Sequence, residues 1–394
     1  MCDVPALRFS EFSGEWKEER LDEIAELSKG VGISKEQLSE DGEPCILYGE
    51  LYTKYKSEII RKVISKTNIE SSNLKRSKRN DVIIPCSGET AIDIAVARCI
   101  PFDNILLGGD LNIIRLHKDD GAFMAYQLNG KRKIDIAKLA QGVSVVHLYG
   151  ENLKSIKTYN PCLQEQQKIV KLLSMFDERI EAQNKIIEDL KKLKSAISKQ
   201  VFAQEPNGWS RLDTLFSKGK AGGTPTSTNK EYYNGEIPFL SINDITKQGK
   251  YVRYTENHLS QSGLENSSAW VVPKYSLIMS MYASVGLVTI NEIPITTSQA
   301  MFAMQLKDKD LLDYLYYYLS YFKYRHIHKY LETGTQSNIN ADIVRGIMIP
   351  TYGYSRNMEI ASTLQSIDVK IDNELSVLKL FNRQKNYLLS QMFI

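Results

Sequence analysis

The sequence predicts an α+β protein in which two similar mixed α/β domains are separated by two long helices that form an antiparallel coiled coil. Three observations predict this fold: the chain has 394 residues, it repeats itself with an offset of 191, and each repeat ends in a long heptad-like pattern. An internal repeat of this kind also predicts pseudo-two-fold symmetry. The expected segments are 1–160 for the first domain, 161–204 for the first helix, 205–354 for the second domain and 355–394 for the second helix.

The internal repeat rests on short matches that share one offset and one order along the chain. Each pair lies 191 residues apart: Arg-Leu-Asp at 20–22 and 211–213, Asp-Glu-Arg-Ile at 177–180 and Asp-Val-Lys-Ile at 368–371, and Gln-Val-Phe at 200–202 and Gln-Met-Phe at 391–393. One three-residue match could arise by chance, but several in the same order are much less probable by chance. The chain therefore contains two copies of one module.

Each copy ends in apolar residues that alternate steps of three and four. The predicted coiled-coil seam is Ile169, Leu173, Phe176, Ile180, Ile187 and Leu190 in the first copy, and Ile360, Leu364, Ile367, Ile371, Leu378 and Phe381 in the second. A period of 3.5 residues over this length is typical of a coiled coil. No Pro or Gly interrupts 163–202 or 355–394.

Polar residues interrupt the two seams at equivalent positions. They are Gln183 and Lys194 in the first copy, and Glu374 and Lys385 in the second. Buried polar positions commonly fix the register of a coiled coil, so antiparallel pairing would place Glu374 opposite Lys194 and Gln183 opposite Lys385. The alternative is that each helix packs only on its own domain. The matching interruptions favour the paired arrangement.

The segments that precede the helices have the patterns of mixed α/β domains. Apolar β-rich runs predict strands at 81–84, 112–116, 276–279, 286–290 and 301–306. The stretch 311–330 has a helical pattern. Each of these segments has about 150 residues, enough to bury a core of its own.

Composition excludes several classes of protein. Lys and Arg number 50 against 47 Asp and Glu, so a net charge of +3 excludes a polybasic protein that binds nucleic acid by bulk charge. No apolar run approaches the ~20 residues of a membrane span, and the N-terminus has no apolar leader, so we expect a cytoplasmic protein. The five cysteines form no CxxC pair, which predicts reduced thiols and no zinc site.

Motifs of catalysis are missing from the sequence. It has no GxGxxG, GxxxxGK[ST] or HExxH string, and Cys86-Ser87 has no base in view. Asn160-Pro161-Cys162 lacks the second Pro and the aromatic residue of an amino-methyltransferase motif. We therefore expect no catalysis, metal or cofactor in this chain itself.

Two regions have the composition of binding surfaces. The stretch 54–79 holds nine Lys or Arg and two Glu, a local charge of +7 that suits phosphate contacts, although a solvated loop is the alternative. Of the 22 Tyr, 13 lie within 232–330. Tyr mixed with Arg and Lys is typical of nucleic-acid and protein interfaces.

Two loops of the second copy are small and rich in hydrogen-bonding side chains. They are 221–230, which reads Ala-Gly-Gly-Thr-Pro-Thr-Ser-Thr-Asn-Lys, and 333–340, which reads Thr-Gly-Thr-Gln-Ser-Asn-Ile-Asn. Gln and Asn amides can bond adenine bidentately, and hydroxyls can contact base edges or phosphates. Ordinary turns have the same composition, so both interpretations stay open at this point.

Several motifs together resemble the specificity subunit of type I restriction–modification systems, over essentially the whole chain. Each motif is weak alone: Pro5-Ala6-Leu7-Arg8-Phe9, Leu163-Gln164-Glu165-Gln166-Gln167, Gly222-Gly223-Thr224-Pro225-Thr226-Ser227, Ile237-Pro238-Phe239-Leu240, and Gly334-Thr335-Gln336 before Ile347-Met348-Ile349-Pro350. The first copy departs from the pattern, with Gly30-Val31-Gly32-Ile33-Ser34 and Gln141-Gly142-Val143-Ser144 at the two loops.

The resemblance implies a non-catalytic DNA-binding subunit. Each domain would be a target-recognition domain that reads half of a bipartite site in double-stranded DNA, with the coiled coil as a spacer. The implied partners are two modification subunits, which bind S-adenosylmethionine and methylate adenine, and two restriction subunits. The implied DNA-binding candidates are Thr224, Ser227, Lys230, Tyr282, Thr335, Gln336 and Asn338 in the second copy, and Tyr48, Tyr52, Lys54, Lys75 and Ser87 in the first.

Two other classes of function stay open on the sequence. The chain could be a two-headed scaffold that binds protein or RNA and never contacts duplex DNA. It could also be a nuclease whose motif is not visible. Salt-dependent duplex binding and metal-dependent cleavage separate these alternatives.

Overall fold

The computed structural model describes residues 4–70, 72–331 and 338–394 and divides into two compact units. Unit 1 comprises Met1–Lys185 and Leu375–Ile394, and unit 2 comprises Ile186–Glu374. Each unit therefore combines the globular part of one repeat with portions of both long helices. Within the described residues, the helices are all too short or too polar to cross a membrane.

Unit 1 contains two larger sheets and two strand pairs. Its strands are β1 (Lys17–Arg20), β2 (Ala25–Lys29), β3 (Leu38–Ser39), β4 (Glu43–Ile46), β5 (Ser65–Thr67), β6 (Lys75–Arg76), β7 (Asp81–Pro85), β8 (Ser87–Gly88), β9 (Arg98–Ile100), β10 (Leu106–Leu107), β11 (Leu111–Leu116), β12 (Val146–His147) and β13 (Lys157–Asn160). The sheet orders are β2-β11-β7-β9 and β3-β5-β4-β10-β6, with pairs β1-β13 and β12-β8. Its helices are α1 (Leu21–Ile24), α2 (Glu50–Thr53), α3 (Ala91–Ile94), α4 (Gly121–Asn129), α5 (Lys133–Lys138), α6 (Gly150–Leu153) and the first part of α7 (Leu163–Phe202).

Unit 2 has a related construction. Its strands are β14 (Gly208–Arg211), β15 (Phe216–Ala221), β16 (Tyr233–Leu240), β17 (Tyr251–Val252), β18 (Asn257–Leu259), β19 (Leu277–Ser280), β20 (Val288–Asn291), β21 (Thr296–Thr297), β22 (Met301–Leu306) and β23 (Met348–Thr351). The sheet orders are β15-β22-β19-β20-β17 and β18-β16-β21, with the pair β14-β23. Its helices are α8 (Leu212–Leu215), α9 (Ile242–Gln248), α10 (Gln261–Glu265), α11 (Leu312–Arg325), α12 (Ala341–Gly346) and the first part of α13 (Tyr354–Gln391).

The start points of the elements confirm the repeat. Six pairs of elements begin 191 residues apart: β1 and β14, α1 and α8, β2 and β15, α4 and α11, β13 and β23, and α7 and α13. The strands predicted from apolar runs correspond to β7, β11, β19, β20 and β22. The predicted helical stretch 311–330 contains α11 and a short 3₁₀ turn at Ile327–Lys329. The α+β fold class with two similar domains and two long helices is confirmed.

The C-terminal end of α7 and the residues just after α13 pack into the core of the globule from the other repeat. In unit 1 the ring of Phe393 lies 5.3 Å from that of Phe123 on α4, next to the buried Trp16. In unit 2 the ring of Phe202 lies 6.2 Å from that of Tyr314 on α11. These are equivalent contacts, because the offset of 191 residues relates Phe123 to Tyr314 and Phe202 to Phe393. Rings of this size bury enough apolar surface to anchor a helix end.

The two long helices run antiparallel within each unit. In unit 1, Asp177 on α7 meets Lys385 on α13, and the guanidinium of Arg179 lies 5.8 Å from the ring centre of Phe381. In unit 2, Lys194 on α7 meets Asp368 on α13, while Phe202 shares a core cluster with Leu364. All twelve predicted seam residues are buried or half-buried.

A buried polar cluster joins the helices and the globule of unit 1. The Lys385 ammonium donates to Asp177 Oδ1 and to Glu58 Oε2, each at 2.5 Å. The Tyr126 hydroxyl on α4 donates to Asp177 Oδ2 at 2.5 Å. Burial disfavours the charge on Lys385, but the two carboxylates outweigh burial and raise the pKa of the ammonium above its usual value. We call these four residues the Lys385 cluster.

Unit 2 repeats the central part of that cluster. Lys194 donates to Asp368 Oδ1 at 2.5 Å, and the Tyr317 hydroxyl donates to Asp368 Oδ2 at 2.8 Å. Lys194, Asp368 and Tyr317 are related to Lys385, Asp177 and Tyr126 by the same offset of 191 residues. The pair is more exposed than in unit 1, at 27% for the Lys194 side chain and 23% for that of Asp368.

The predicted pairing of the polar seam residues was therefore wrong. Lys194 pairs with Asp368 rather than Glu374, and Lys385 pairs with Asp177 and Glu58 rather than Gln183. The Glu374 carboxylate accepts from Lys370 on its own helix. The physical reason is that tyrosines from the globules also bond to the aspartates, which makes Asp177 and Asp368 the better buried acceptors.

Replacement of Lys385 by Met should destabilise the protein strongly. The variant would leave the carboxylates of Asp177 and Glu58 buried without their cation, which costs about 3–5 kcal/mol. Chemical denaturation of the full chain measures this as a lower midpoint. The control is Lys192→Met, whose exposed side chain pairs with Glu188 one turn away, and which should unfold like the parent. Equal midpoints for the two variants would contradict the importance of the cluster.

Candidate nucleic-acid interface

Backbone hydrogen bonds join several loops of unit 2 at one edge. The Gly222 amide donates to the Met301 carbonyl at 3.1 Å, and the Met281 amide donates to the Ala300 carbonyl at 2.7 Å. The Ile339 amide donates to the Met281 carbonyl at 3.1 Å. These bonds hold together the loop after β15, the loop after β19, the turn before β22 and the segment that leads into α12. We call this edge the unit 2 loop edge.

The unit 2 loop edge carries polar and aromatic side chains that face solvent. The Thr224 hydroxyl donates to Gln299 Oε1 at 2.5 Å, and both side chains are exposed. Tyr282 is 41% exposed, and Asn338 is half-buried next to Ile339. The candidates Thr335 and Gln336 lie outside the described residues. Thr224, Tyr282 and Asn338 thus lie on connected loops.

Gln299 was missed by the sequence analysis. It lies in a short polar turn, Thr297-Ser298-Gln299-Ala300, between β21 and β22. The residues have no unusual composition and belong to neither of the two loops that the sequence singles out. Only the folded chain shows that the turn lies beside Thr224. The one local signal in the sequence is a polar Ser-Gln pair directly after the polar strand Thr296–Thr297.

Close packing fixes the start of the Thr224 loop. A Cβ atom on Gly222 would lie 1.9 Å from the Thr297 carbonyl oxygen, and one on Gly223 would lie 2.2 Å from Ser268 Oγ. Further along, the Tyr233 hydroxyl donates to the Pro225 carbonyl at 2.7 Å. These contacts hold the loop while its candidate residues Ser227 and Lys230 stay exposed.

The loop that carries Tyr282 is a tight turn. Ala283 and Ser284 both have positive φ values, 41° and 52°, which are uncommon for residues other than glycine. Ser280 Oγ stabilises the turn because it donates to the Ser284 carbonyl at 2.7 Å and accepts from the Leu287 amide. The turn therefore holds Tyr282 in one place on the unit 2 loop edge.

Two lysines lie on β15, the strand that leads into the unit 2 loop edge. Lys218 and Lys220 are exposed on β15, which ends directly before Gly222. The Lys218 ammonium lies 4.2 Å from the ring centre of Trp270, and Lys220 donates to the Ser268 carbonyl at 3.4 Å. With Lys230 they supply positive charge beside polar side chains, which is the composition of surfaces that contact phosphates and base edges.

Unit 1 carries different side chains on the loops around its candidate residue Ser87. Ser87 is buried and donates to Asp110 Oδ2 at 3.2 Å, so its hydroxyl is not presented to solvent. His147 on β12 pairs with Ser87 on β8, and its amide donates to the Gln141 carbonyl at 2.7 Å. Val143, in the turn between Gln141 and His147, is 98% exposed.

The tyrosine candidates of unit 1 lie on one side of a core cluster. Tyr48 and Tyr52 are both half-buried against it. Burial raises the pKa of the Tyr52 phenol, and Tyr48 and the nearby carboxylate of Glu89 raise it further. A Cβ on Gly88 would lie 3.6 Å from the Tyr52 hydroxyl, which places Tyr52 beside the strand of Ser87.

Part of the positive charge of the basic stretch 54–79 is bonded within unit 1, while Lys56, Lys62, Lys66 and Lys78 are exposed. Lys54 donates to Glu50 at 2.6 Å and to Ser65, and Arg76 pairs with Glu43. Arg61 bonds to Glu178 at 2.9 Å and to the Ser174 carbonyl, so it fastens the globule to α7. Lys75 is half-buried on β6. The partners of Arg61 and Arg76 are distant in sequence, so counting charges could not show that these two cations are paired.

Three of the cysteines have the environments of structural thiols, while Cys162 is exposed. Cys45, Cys86 and Cys99 are buried, and burial raises the pKa of the Cys86 thiol to about 12. A thiol with a raised pKa is a poor nucleophile. Across residues 4–70, 72–331 and 338–394, no group of three or more His, Cys, Asp or Glu side chains is arranged to hold a metal ion.

Comparison with known proteins identifies the family. The family model described as "Type I restriction modification DNA specificity domain" matches residues 13–192 and again residues 206–378. The chain therefore belongs to the family of type I restriction–modification DNA specificity proteins. The two matches coincide with the two copies of the internal repeat.

Individual relatives agree with this family. The chain is 27% identical over 158 residues to the type I restriction enzyme MjaIX specificity subunit of Methanocaldococcus jannaschii, an alignment of 39% of this chain that spans only about a third, 36%, of that relative. The putative MjaX specificity subunit of the same organism is 26% identical over 293 residues, or 68% of this chain and 66% of the relative.

The fold is shared with a solved structure. The crystal structure of the type I restriction–modification system S subunit from M. genitalium matches with a TM-score of 0.64 and covers 99% of both chains. Its sequence identity to this chain is 18%, so the match establishes the common fold.

Replacement of Gly222 by Ala should disturb the unit 2 loop edge. The new methyl group would overlap the Thr297 carbonyl, and the required shift should cost about 1–3 kcal/mol. Thermal unfolding and limited proteolysis near residues 222–230 measure the effect. Gly346→Ala is the control, because a Cβ there meets no atom within 4 Å. If the two variants resist heat and protease equally, the close packing of the loop does not hold it.

Proposed function

We propose that this chain is a specificity subunit that reads a bipartite target in double-stranded DNA, one half with each unit. In this proposal the chain directs adenine methylation and restriction, and partner subunits perform the chemistry. The family match to both repeats supports it, because a duplicated DNA specificity domain provides two reading surfaces on one chain.

The unit 2 loop edge is the observation that carries the proposal. Thr224 bonds to the carbonyl oxygen of the Gln299 amide, and no described residue accepts from the amide NH₂ group. That group can donate to an acceptor on a base edge, and Thr or Gln side chains are common partners of bases. Tyr282 offers an aromatic ring beside them, and Lys218 and Lys220 are placed to contact phosphates.

The two units should read different half-sites. Unit 1 exposes Val143 and His147 on the turn that ends at β12 and has the half-buried Tyr52 nearby, whereas unit 2 exposes Thr224, Gln299 and Tyr282 on its loop edge. An apolar side chain such as Val143 suits contact with a thymine methyl group, whereas an amide suits adenine or guanine. Different chemistry on the two units is expected for a target whose halves differ in sequence.

The repeat also supports the proposed partners. Two equivalent modules give two equivalent docking surfaces, which suits two identical modification subunits. We propose that the modification subunits bind these surfaces, carry S-adenosylmethionine, and extrude the target adenine. Two restriction subunits would join for cleavage, and helix length would set the spacing of the half-sites.

Two classes of variant test the reading surface. Gln299→Ala should relax base selection at one position of one half-site and cost about 1–3 kcal/mol on the preferred sequence. Lys220→Ala should weaken binding to all duplexes and lower the salt slope by about one phosphate contact. Titration of the chain, purified with its modification subunit, into a panel of duplexes at several salt concentrations measures both effects.

The matched control is Lys192→Ala, since Lys192 lies on α7 and is paired with Glu188. It should leave both affinity and salt slope unchanged. The proposal fails if the complex binds duplexes without sequence preference, or if Gln299→Ala and Lys220→Ala give the same profile as this control. Tight salt-dependent binding to RNA but not DNA would favour the scaffold alternative instead.

A further inference from the structure

Unit 2 contains a cleft of about 350 Å³ between α11 and the portions of α7 and α13 that belong to this unit. One face of each helix contributes to its walls. The lining residues are Lys191, Lys194, Ser195 and Ser198 from α7, Tyr317, Ser320, Tyr321, Tyr324 and Arg325 from α11, and Asp368 and Ile371 from α13. The volume lies in the range of sites for small organic ligands.

The charge of the cleft is positive. Its single acidic residue, Asp368, is already bonded to Lys194 and to the Tyr317 hydroxyl. Lys191 and Arg325 have no ion pair among the described residues, and both are exposed. They come from different helices and line the same cleft. Two such cations in one concave site favour an anionic ligand, and an arginine guanidinium matches the geometry of a phosphate group well.

Hydroxyl and aromatic groups complete the lining. Ser195, Ser198 and Ser320 can donate to an anion, because a hydroxyl is both donor and acceptor. Tyr321 and Tyr324 supply flat apolar surface, and Tyr324 is 79% exposed. A ring in this position can stack on a planar base, as aromatic side chains do in nucleotide sites.

Unit 1 lacks this combination at the equivalent positions. An offset of 191 relates Lys191 to Asn382, Tyr321 to Gly130 and Arg325 to Ile134. The remaining cation, Lys385, is enclosed by Glu58 and Asp177. The fold of the module therefore does not need the cations and rings of the unit 2 cleft, which removes a purely structural reason for them.

We propose that the unit 2 cleft binds a nucleoside phosphate. Lys191 and Arg325 hold the phosphate group, the serine hydroxyls donate to its oxygens, and Tyr324 stacks on the base. The proposal is independent of DNA reading by the loop edge, since it concerns other side chains and a free small molecule.

The test is a calorimetric titration of the full chain with adenosine monophosphate, adenosine triphosphate and inorganic phosphate, without DNA. We expect saturable binding of the nucleotides, tighter for the triphosphate and weakest for inorganic phosphate. Lys191→Gln and Arg325→Gln should each lower nucleotide affinity about tenfold, because each removes a charge-assisted hydrogen bond. Tyr324→Ala should weaken the nucleotides but not inorganic phosphate.

The repeat provides the control. Lys133→Gln removes a cation at the unit 1 position equivalent to Tyr324 and should leave nucleotide affinity unchanged. No saturable nucleotide binding would overturn the proposal, and so would equal loss with Lys133→Gln and Arg325→Gln. A duplex-binding titration forms the second arm: if Arg325→Gln weakens duplex DNA but nucleotides do not bind, the cation contacts the DNA backbone and the nucleotide site is refuted.

Discussion

The ion pair between a lysine of one long helix and an aspartate of the other, buried in unit 1 and half-buried in unit 2, is the interaction on which each unit depends. Lys385 and Asp177 are both less than 9% exposed, and so is Glu58, the second carboxylate that binds the lysine. Charges buried to this degree are tolerated only when they are paired and hydrogen-bonded. Any shift of the helix pair by one turn would separate them, so the cluster selects one antiparallel register over its neighbours.

The same cluster connects the helices to the globular parts. Tyr126 and Tyr317 reach the aspartates from α4 and α11, the helices that also pack against the ends of the long helices through Phe123 and Tyr314. In unit 2, α11 also packs against the loop that carries Tyr282. A Cβ on Gly286 of that loop would lie 3.3 Å from the side chain of Lys323 on α11. One helix therefore links the helix seam, the core and the loops that we propose to read DNA.

Much of this architecture could be predicted from sequence because it follows from periodicity. The offset of 191 predicts equivalent elements, and apolar runs predict β7, β11, β19, β20 and β22. The register could not be predicted, since Tyr126 and Glu58 take part in it and their positions depend on the tertiary fold. The candidate site was partly predictable: Thr224 and Tyr282 lie on one edge, but Gln299 joins them only through folding. In the stretch 54–79, Arg61 and Arg76 pair with carboxylates that are distant in the chain.

The most direct test of the account is a map of methylated adenines in the genome of a host that expresses this chain with its modification subunit. We expect a bipartite motif with two different halves at a fixed separation. Gln299→Ala should broaden the motif in one half while the other half stays unchanged. A single undivided motif, or methylation that does not depend on this chain, would contradict the claim that its two units read the two halves of one DNA target.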